Sequence, residues 1–271
     1  MGLLIPAPRF GAQEFSYSGR PTTTWGTTLT AHATPHTEPA SKTTIIAATV
    51  EEYDLITVEV SETSTSATLT DGLVNIYLGA AASEVILLPN LLAGWAQTIN
   101  STGPGYTYTF PVRIPRGSRI SGTFRALITV DTVVVRVALF KTGQWAGSGV
   151  ESCGALTATS RGTQITPGGA AEGTFTALAT TANLWRYVLA MQIGNTDVTA
   201  NVGVMGLDLG VGSALIAGLE NFYCTNTSGE IFVPHHDGRY VDVASGTALQ
   251  ARLQSSTTDV EDKSVIAYGV Y

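Results

Sequence analysis

Charge is what this chain has least of. Only 13% of its 271 residues are Asp, Glu, Lys or Arg, about half the ~25% of an average soluble domain. Lysine is the scarcest, with three residues (Lys42, Lys141 and Lys263) against eleven arginines, and the formal net charge is -7. This excludes a nucleic-acid partner, because displacing phosphate counterions takes clustered cations. With two cysteines, Cys153 and Cys224, there is no disulfide framework. The two thiols either form one pair or, in the simpler reading, stay buried and free. No apolar run approaches the ~18 residues of a membrane helix, and the stretch 133–140 is interrupted by Arg136, so no membrane insertion is expected. The early run Leu3-Leu4-Ile5 ends at Pro6, too short for a secretory leader. Position 6 also lacks the Ser or Thr of a myristoylation signal. The expectation is a soluble protein made in the cytoplasm.

What the chain does have is apolar and uncharged polar residues. At 44% hydrophobic it can build a core, which excludes general disorder. Thr, Ser and Gly fill the place of the missing charges, and β-branched Thr suits a pleated, half-exposed surface. Leu55–Val60 alternates apolar and polar towards its end, as a half-buried strand does, and Leu249–Leu253 alternates cleanly. Asp71-Gly72 marks a hairpin between Thr68–Thr70 and Leu73–Leu78. Short strands at 8–12-residue spacing give the sandwich or jelly-roll pattern. The one helical candidate is a single turn within Leu87–Trp95, bounded by Pro89 and Gly94.

The sequence also repeats itself. Gly26-Thr27-Thr28-Leu29-Thr30 is echoed by Gly162-Thr163-Gln164-Ile165-Thr166. Ile76–Gly79 matches Leu207–Gly210, Ile114-Pro115 matches Val233-Pro234, Ser121-Gly122-Thr123 recurs at Ser245-Gly246-Thr247, and Val137–Phe140 aligns with Tyr268–Tyr271. The predicted fold is all-β, with two tandem antiparallel β-sandwich (jelly-roll-like) domains arising from an internal duplication. The expected layout is an extended N-terminal arm (1–24, without a repeat partner), module one (25–140), a linker (141–160) and module two (161–271).

Reactive motifs are sparse. His32 and His36 have helical ligand spacing, but Pro35 forbids a helix, and on a strand they lie about 13 Å apart. His235-His236-Asp237 reads as a polar turn. The G-x-S-x-G elbow is absent, and Gly203–Gly212 lacks the following helix of a phosphate loop. Asp71, Asp131, Asp197 and Asp259 fall in turns or polar connections, and Asp259–Asp262 lacks the spacing of a calcium loop. No catalytic residue, metal or cofactor is assigned, and the protein is not expected to be an enzyme. The one concentration of like charge is Arg113, Arg116, Arg119, Arg125 and Arg136, a candidate partner interface. Arginine suits such a role because its planar fork is weakly hydrated and makes paired hydrogen bonds. The alternative is ordinary solvated strand faces.

The segment Phe110-Pro111-Val112-Arg113-Ile114-Pro115-Arg116-Gly117-Ser118-Arg119-Ile120 resembles jelly-roll modules of virion structural proteins in tailed bacteriophages. Those modules share an apolar-Pro-x-Gly-Ser-Arg-apolar turn and an upstream Gly-Thr-x-apolar-Thr segment, here Gly26–Thr30. The resemblance implies a non-enzymatic building block of the head, neck or tail of a virion, such as a capsid decoration, fibre or accessory protein. Its implied partners are copies of itself, as a homo-oligomer, and other virion structural proteins. The alternatives are a carbohydrate- or receptor-binding module pair, with a host surface glycan as partner and Trp25, Trp95, Trp145 and Trp185 as stacking platforms, or a glycosidase or esterase.

Overall fold

The computed structural model describes residues 13–15, 26–62, 72–93, 106–193, 203–227, 230–232, 238–256 and 262–271. Among them every regular element is a strand. The first half supplies β1 (Gln13–Phe15), β2 (Thr27–Thr30), β3 (Thr43–Ile46), β4 (Leu55–Glu62), β5 (Gly72–Gly79), β6 (Val85–Ala93), β7 (Tyr106–Phe110), β8 (Arg119–Ala126) and β9 (Thr132–Phe140). The second supplies β10 (Val150–Cys153), β11 (Ala155–Leu156), β12 (Arg161–Ile165), β13 (Thr176–Thr180), β14 (Tyr187–Ile193) and β15 (Gly203–Val211). It continues with β16 (Ala214–Leu215), β17 (Phe222–Thr227), β18 (Glu230–Phe232), β19 (Ala248–Ser255) and β20 (Lys263–Val270). Antiparallel pairing joins them into four sheets: β1-β9-β4-β7 with β2 also on β9, and β3-β8-β5-β6; then β10-β20-β12-β11 with β14 also on β20, and β13-β19-β15-β17-β18 with β16 on β15. The all-β sandwich architecture expected from short, Thr-rich strands is present. Alternation builds each core: on β9, Val133, Val135, Val137 and Leu139 point inward and are buried.

The two halves repeat one pairing order. One edge of β9 carries β4 and the other carries β1 and β2; β20 carries β14 on one edge and β10 and β12 on the other. β8 lies between β3 and β5 with β6 beyond, as β19 lies between β13 and β15 with β17 beyond. Residues 13–15, expected in an arm without a repeat partner, therefore do have one. Their counterpart is β10, inside the segment expected to be a linker.

Matching hydrogen bonds align the halves residue by residue. The Thr49 hydroxyl donates to Pro115 O (2.7 Å) and accepts from Ser118 N–H (3.0 Å), while Gly117 N–H donates to Thr49 O (2.8 Å). Thr181 repeats this with Ala244 O (2.8 Å), Thr247 N–H (3.0 Å) and Gly246 N–H (2.7 Å). Gly117 and Gly246 share the left-handed backbone, at φ +77° and +80°, which only glycine adopts without strain.

The counterpart of Ile114–Ser118 is thus Val243–Thr247, not Val233-Pro234; residues 233–237 lie outside the described set. Ser121-Gly122-Thr123 sits within β8 and does not match Ser245–Thr247, which form the preceding turn. The Gly26–Thr30 and Gly162–Thr166 match stands in register, since Thr27 faces Val135 and Thr163 faces Val265. Phe140 corresponds to Val270, because Asp54 N–H donates to the one carbonyl (3.1 Å) and Arg186 N–H to the other (2.8 Å). Leu207–Gly210 stands two residues out of step with Ile76–Gly79, since Gly210 faces Gln250 where Tyr77 faces Ser121; short strings of common residues recur by chance. Strand pairing counts residues where string matching does not.

Leu87–Trp95 holds no helical turn in its described part, because Val85–Ala93 is a strand at a sheet edge. An edge tolerates Pro89, which has no N–H to give the ladder. Asn90 takes φ +53° where the register shifts and donates its N–H to Asn75 Oδ1 at 2.7 Å.

The halves meet through β20, which is buried along its whole length. Val265 and Ala267 join Trp185, Leu207 and Leu253 in the second core. Ile266, Tyr268 and Val270, with Leu189 and Met191 of β14, join Leu92, Tyr108 and Phe110 in the first. Tyr268 donates its hydroxyl to Asn90 O (2.8 Å) and accepts from Leu92 N–H (3.0 Å), and Tyr108 donates to Leu92 O (2.5 Å). The rings of Tyr108 and Phe110 each meet that of Tyr268 edge-on at 5.8 Å. The face of β14 and β20 thereby covers the side of the first sandwich where β6 and β7 end their sheets.

Removing the Tyr268 hydroxyl strands a buried carbonyl and a buried N–H, so Tyr268→Phe is expected to cost about 1–3 kcal/mol in urea unfolding. Gly269→Ala would put a Cβ 1.7 Å from the Trp185 ring and is expected to cost at least as much through overpacking. Wild-type unfolding midpoints for both variants would contradict the shared-sheet packing.

Candidate functional site

The densest polar cluster lies on the outer face of the β3-β8-β5-β6 sheet. On β8, Ile120, Phe124 and Ala126 point into the core while Arg119, Ser121, Thr123 and Arg125 point out. Opposite them on β5 stand Gly79, Tyr77, Asn75 and Leu73. The connection from β2 to β3 brings Glu38 and Lys42 onto this face, and the β5–β6 turn brings Glu84. Glu38 accepts hydrogen bonds from Asn75 Nδ2 (2.6 Å), Thr123 Oγ1 (2.6 Å), the Tyr77 hydroxyl and the Arg125 guanidinium (2.5 Å). Glu84 pairs with Arg119 (3.2 Å) and Lys42 (3.6 Å), and Lys42 Nζ lies 4.6 Å from the centre of the Tyr77 ring.

Both carboxyls titrate below the ordinary value of 4.5. For Glu38 burial pushes upward, but hydrogen bonds from Thr123, Tyr77 and Asn75 and the charge of Arg125 outweigh it. For Glu84 its own backbone N–H lowers the value most; burial opposes this, and Arg119 and Lys42 add to the lowering. A general acid needs the opposite shift. Two carboxylates held ionised and fully engaged are clasps that fasten the 31–42 connection to the sheet.

The second half carries the same device with different residues. Asp208 faces Arg252 where Asn75 faces Thr123. Arg252 pairs with Asp208 (3.1 Å) and Glu172 (2.6 Å) and lies 4.8 Å from the centre of the Phe175 ring. Gly210 takes the place of Tyr77, and Phe175 fills the space: a Cβ on Gly210 would sit 2.6 Å from its ring. Nearby, Glu151 accepts from Ala182 N–H (2.6 Å), Trp185 Nε1 (2.9 Å) and Asn183 N–H (3.1 Å). These bonds lower its carboxyl against the upward push of burial. Cys153 is free and buried, and burial together with the charge of Glu151 pushes its thiol up to about 12. A thiol so protonated at neutral pH is no nucleophile.

The five arginines do not share one surface. Arg119 and Arg125 belong to the cluster above. Arg113 pairs with Glu52 (2.9 Å), both exposed, and Arg136 pairs with Glu59 on the outer face of the other sheet. Arg116 is exposed in the Thr49-clasped turn and has no ion pair among the described residues. The partners Glu38, Glu52, Glu59 and Glu84 escaped sequence reasoning because each lies far along the chain from its arginine; only the strand register exposes the pairing. His32 Nδ1 accepts Thr34 N–H (2.9 Å) and His36 Nδ1 meets Ser160 Oγ (3.1 Å), so the two serve different contacts. His235 and His236 lie outside the described residues. Among those described, no group of three or more His, Cys, Asp or Glu is placed to hold a metal ion.

No protein-family model matches the chain, and no curated protein matches it. Ten chains of solved structures do. One, from Sulfolobus turreted icosahedral virus, is 10% identical, with 96% of this chain and 90% of that chain covered and a TM-score of 0.34. Another is the tandem CBM22-1–CBM22-2 domain of Paenibacillus barcinonensis Xyn10C, at 9% identity, 82% and 80% coverage and a TM-score of 0.24. A third is the T=1 Penaeus vannamei nodavirus, at 9% identity, 91% and 98% coverage and a TM-score of 0.26.

Carboxylates with depressed folded-state values stabilise fully above their unfolded value, and that stability is lost as pH falls through the folded value. The melting temperature should therefore hold from neutral pH to about 4.5 and fall below it. Glu38→Gln should cost about 2 kcal/mol at neutral pH and flatten part of the acid limb. Thermal melts across pH test both, and an unchanged acid limb would remove Glu38 as a clasp.

Proposed function

We propose that the protein is a non-enzymatic structural component of a virus particle, of the phage decoration, fibre, neck or tail-accessory kind. Its partners are copies of itself and neighbouring virion proteins. The observation that carries this reading is the joining of two like-ordered sandwiches through β20 and its neighbour β14, buried on both faces, with the clustered charges spent on fastening strands. Such a molecule invests its chemistry in a fixed shape. The Arg-Gly-Ser-Arg turn behind the phage resemblance belongs here too, since Thr49 ties it down as a structural corner.

Low charge favours repeated packing, because burying unpaired charges at an interface is costly. A contact strip is at hand on β6. Val85 is 68% and Ile86 49% exposed, and among the described residues the outer edge of this part of β6 has no ladder partner. Apolar, unpaired edges invite a neighbouring strand.

Mass spectrometry of purified particles should find the protein, and sedimentation should find it self-associating. Val85→Lys together with Ile86→Lys should weaken association about tenfold or more without lowering the melting temperature. A chain that stays monomeric at every concentration and is missing from particles would end this reading. Depolymerisation of a host polysaccharide by the purified chain would replace it with an enzymatic one.

A further inference from the structure

Two of the four large aromatic side chains exposed among the described residues meet on the seam between the halves: Trp145 (37% exposed) and Tyr240 (51%). Tyr240 stands edge-on to Trp145 (ring centroids 6.4 Å apart, 73° between planes) and to buried Tyr187 (5.2 Å, 70°). Tyr187 is in turn anchored by its hydroxyl on Thr109 O at 2.9 Å. The segment bearing Trp145 is tied on both sides. Gly147 N–H donates to Pro111 O (2.8 Å), Arg113 N–H donates to Gly147 O (3.0 Å), and Ser148 N–H donates to Tyr271 O (2.7 Å). The Tyr271 ring lies over Gly149, where a Cβ would come within 2.6 Å of its hydroxyl.

Charges close in the fold or the chain to the Trp145 segment are engaged with partners. Arg113 pairs with Glu52 (2.9 Å) and Lys141 with Glu51 (3.4 Å). Asp54 accepts from the N–H groups of Thr142 (2.7 Å) and Gly143 (2.6 Å).

We propose that Trp145 and Tyr240 form a binding site for a neutral pyranose of a surface glycan. One face of a pyranose presents C–H bonds of slightly positive character, which pack on the electron-rich face of an aromatic ring. The second ring, held nearly perpendicular, walls the sugar, and the Tyr240 hydroxyl is at hand for one of its hydroxyls. Few polar groups around an apolar platform is the usual make-up of a small-ligand site. Area argues against a protein partner. At the stated exposures the two residues offer on the order of 200 Å², well below the ~800 Å² per side of a standard protein interface, and a face of that size suits one sugar ring. The site stands on this geometry whether or not the chain is a particle component.

The test uses the full chain with maltotriose, cellotriose and mannotriose in saturation-transfer NMR, backed by a glycan array. At least one neutral saccharide should bind, and Trp145→Ala and Tyr240→Ala should each weaken it about tenfold or more. Tyr240→Phe keeps the ring and should keep most of the affinity. Tyr223→Ala removes an exposed tyrosine of the other sheet of the second half and should change nothing. Thermal melts of each variant separate lost binding from lost folding. The proposal is overturned if no neutral saccharide binds, if binding survives in both alanine variants, or if Trp145→Ala changes only the sedimentation of the protein.

Discussion

The whole molecule turns on one sheet that serves two cores. β20 has no solvent-facing side, so its alternating residues must satisfy two apolar environments at once. Val265 and Ala267 face inward to the second core, and Gly269 beside them leaves room for Trp185. The others, with Tyr268 at their centre, face the first. A buried hydroxyl must be paired or it costs stability, and Tyr268 meets this by bonding Asn90 and Leu92 across the seam. Two sandwiches joined in this way cannot swing apart without opening a hydrogen-bonded aromatic core, and the aromatic group on the surface of the seam owes its fixed geometry to the same junction.

The repeat shows how one pairing order is put to two uses. The cross-strand pair Glu59–Arg136 of the first half corresponds to Met191–Ile266 of the second. The first is a solvent-facing ion pair; the second is buried against the neighbouring sandwich. Backbone order was retained while the outward face changed polarity to fit its surroundings. The polar clusters divide in the same way. Tyr77 with Lys42, and Phe175 with Arg252, each place a cation over an aromatic ring, reached from non-equivalent positions. Among the described residues, thin charge goes with ion pairs and hydrogen bonds that engage many of the charges present.

The legibility of these features followed the range of the interaction behind them. Alternation along Leu249–Leu253 and the Asp71-Gly72 hairpin signal are local properties, and the strands they announce on β19 and β5 are present. Pro89 looked like the bound of a helical turn because proline breaks both helix and strand, and only the position of β6 at a sheet edge explains its place in a strand. The arginines stood out as a cluster along the chain. Their strand faces and carboxylate partners, set by pairing across dozens of residues, separate them in space. Tyr240 drew no notice, since nothing near it in sequence foretells its contact with Trp145.

Composition and periodicity alone decided that this chain is a β protein of short strands, because period-two alternation and turn residues act over a few neighbours. The register of the repeat, the membership of β1 and β10 in their sheets, the pairing of each arginine and the meeting of Trp145 with Tyr240 were decided only by tertiary structure. Each depends on which strand lies beside which, and a shift of one residue reverses every side chain from core to surface. Local sequence carries no count of the residues that intervening loops absorb, so that choice falls to the packed core.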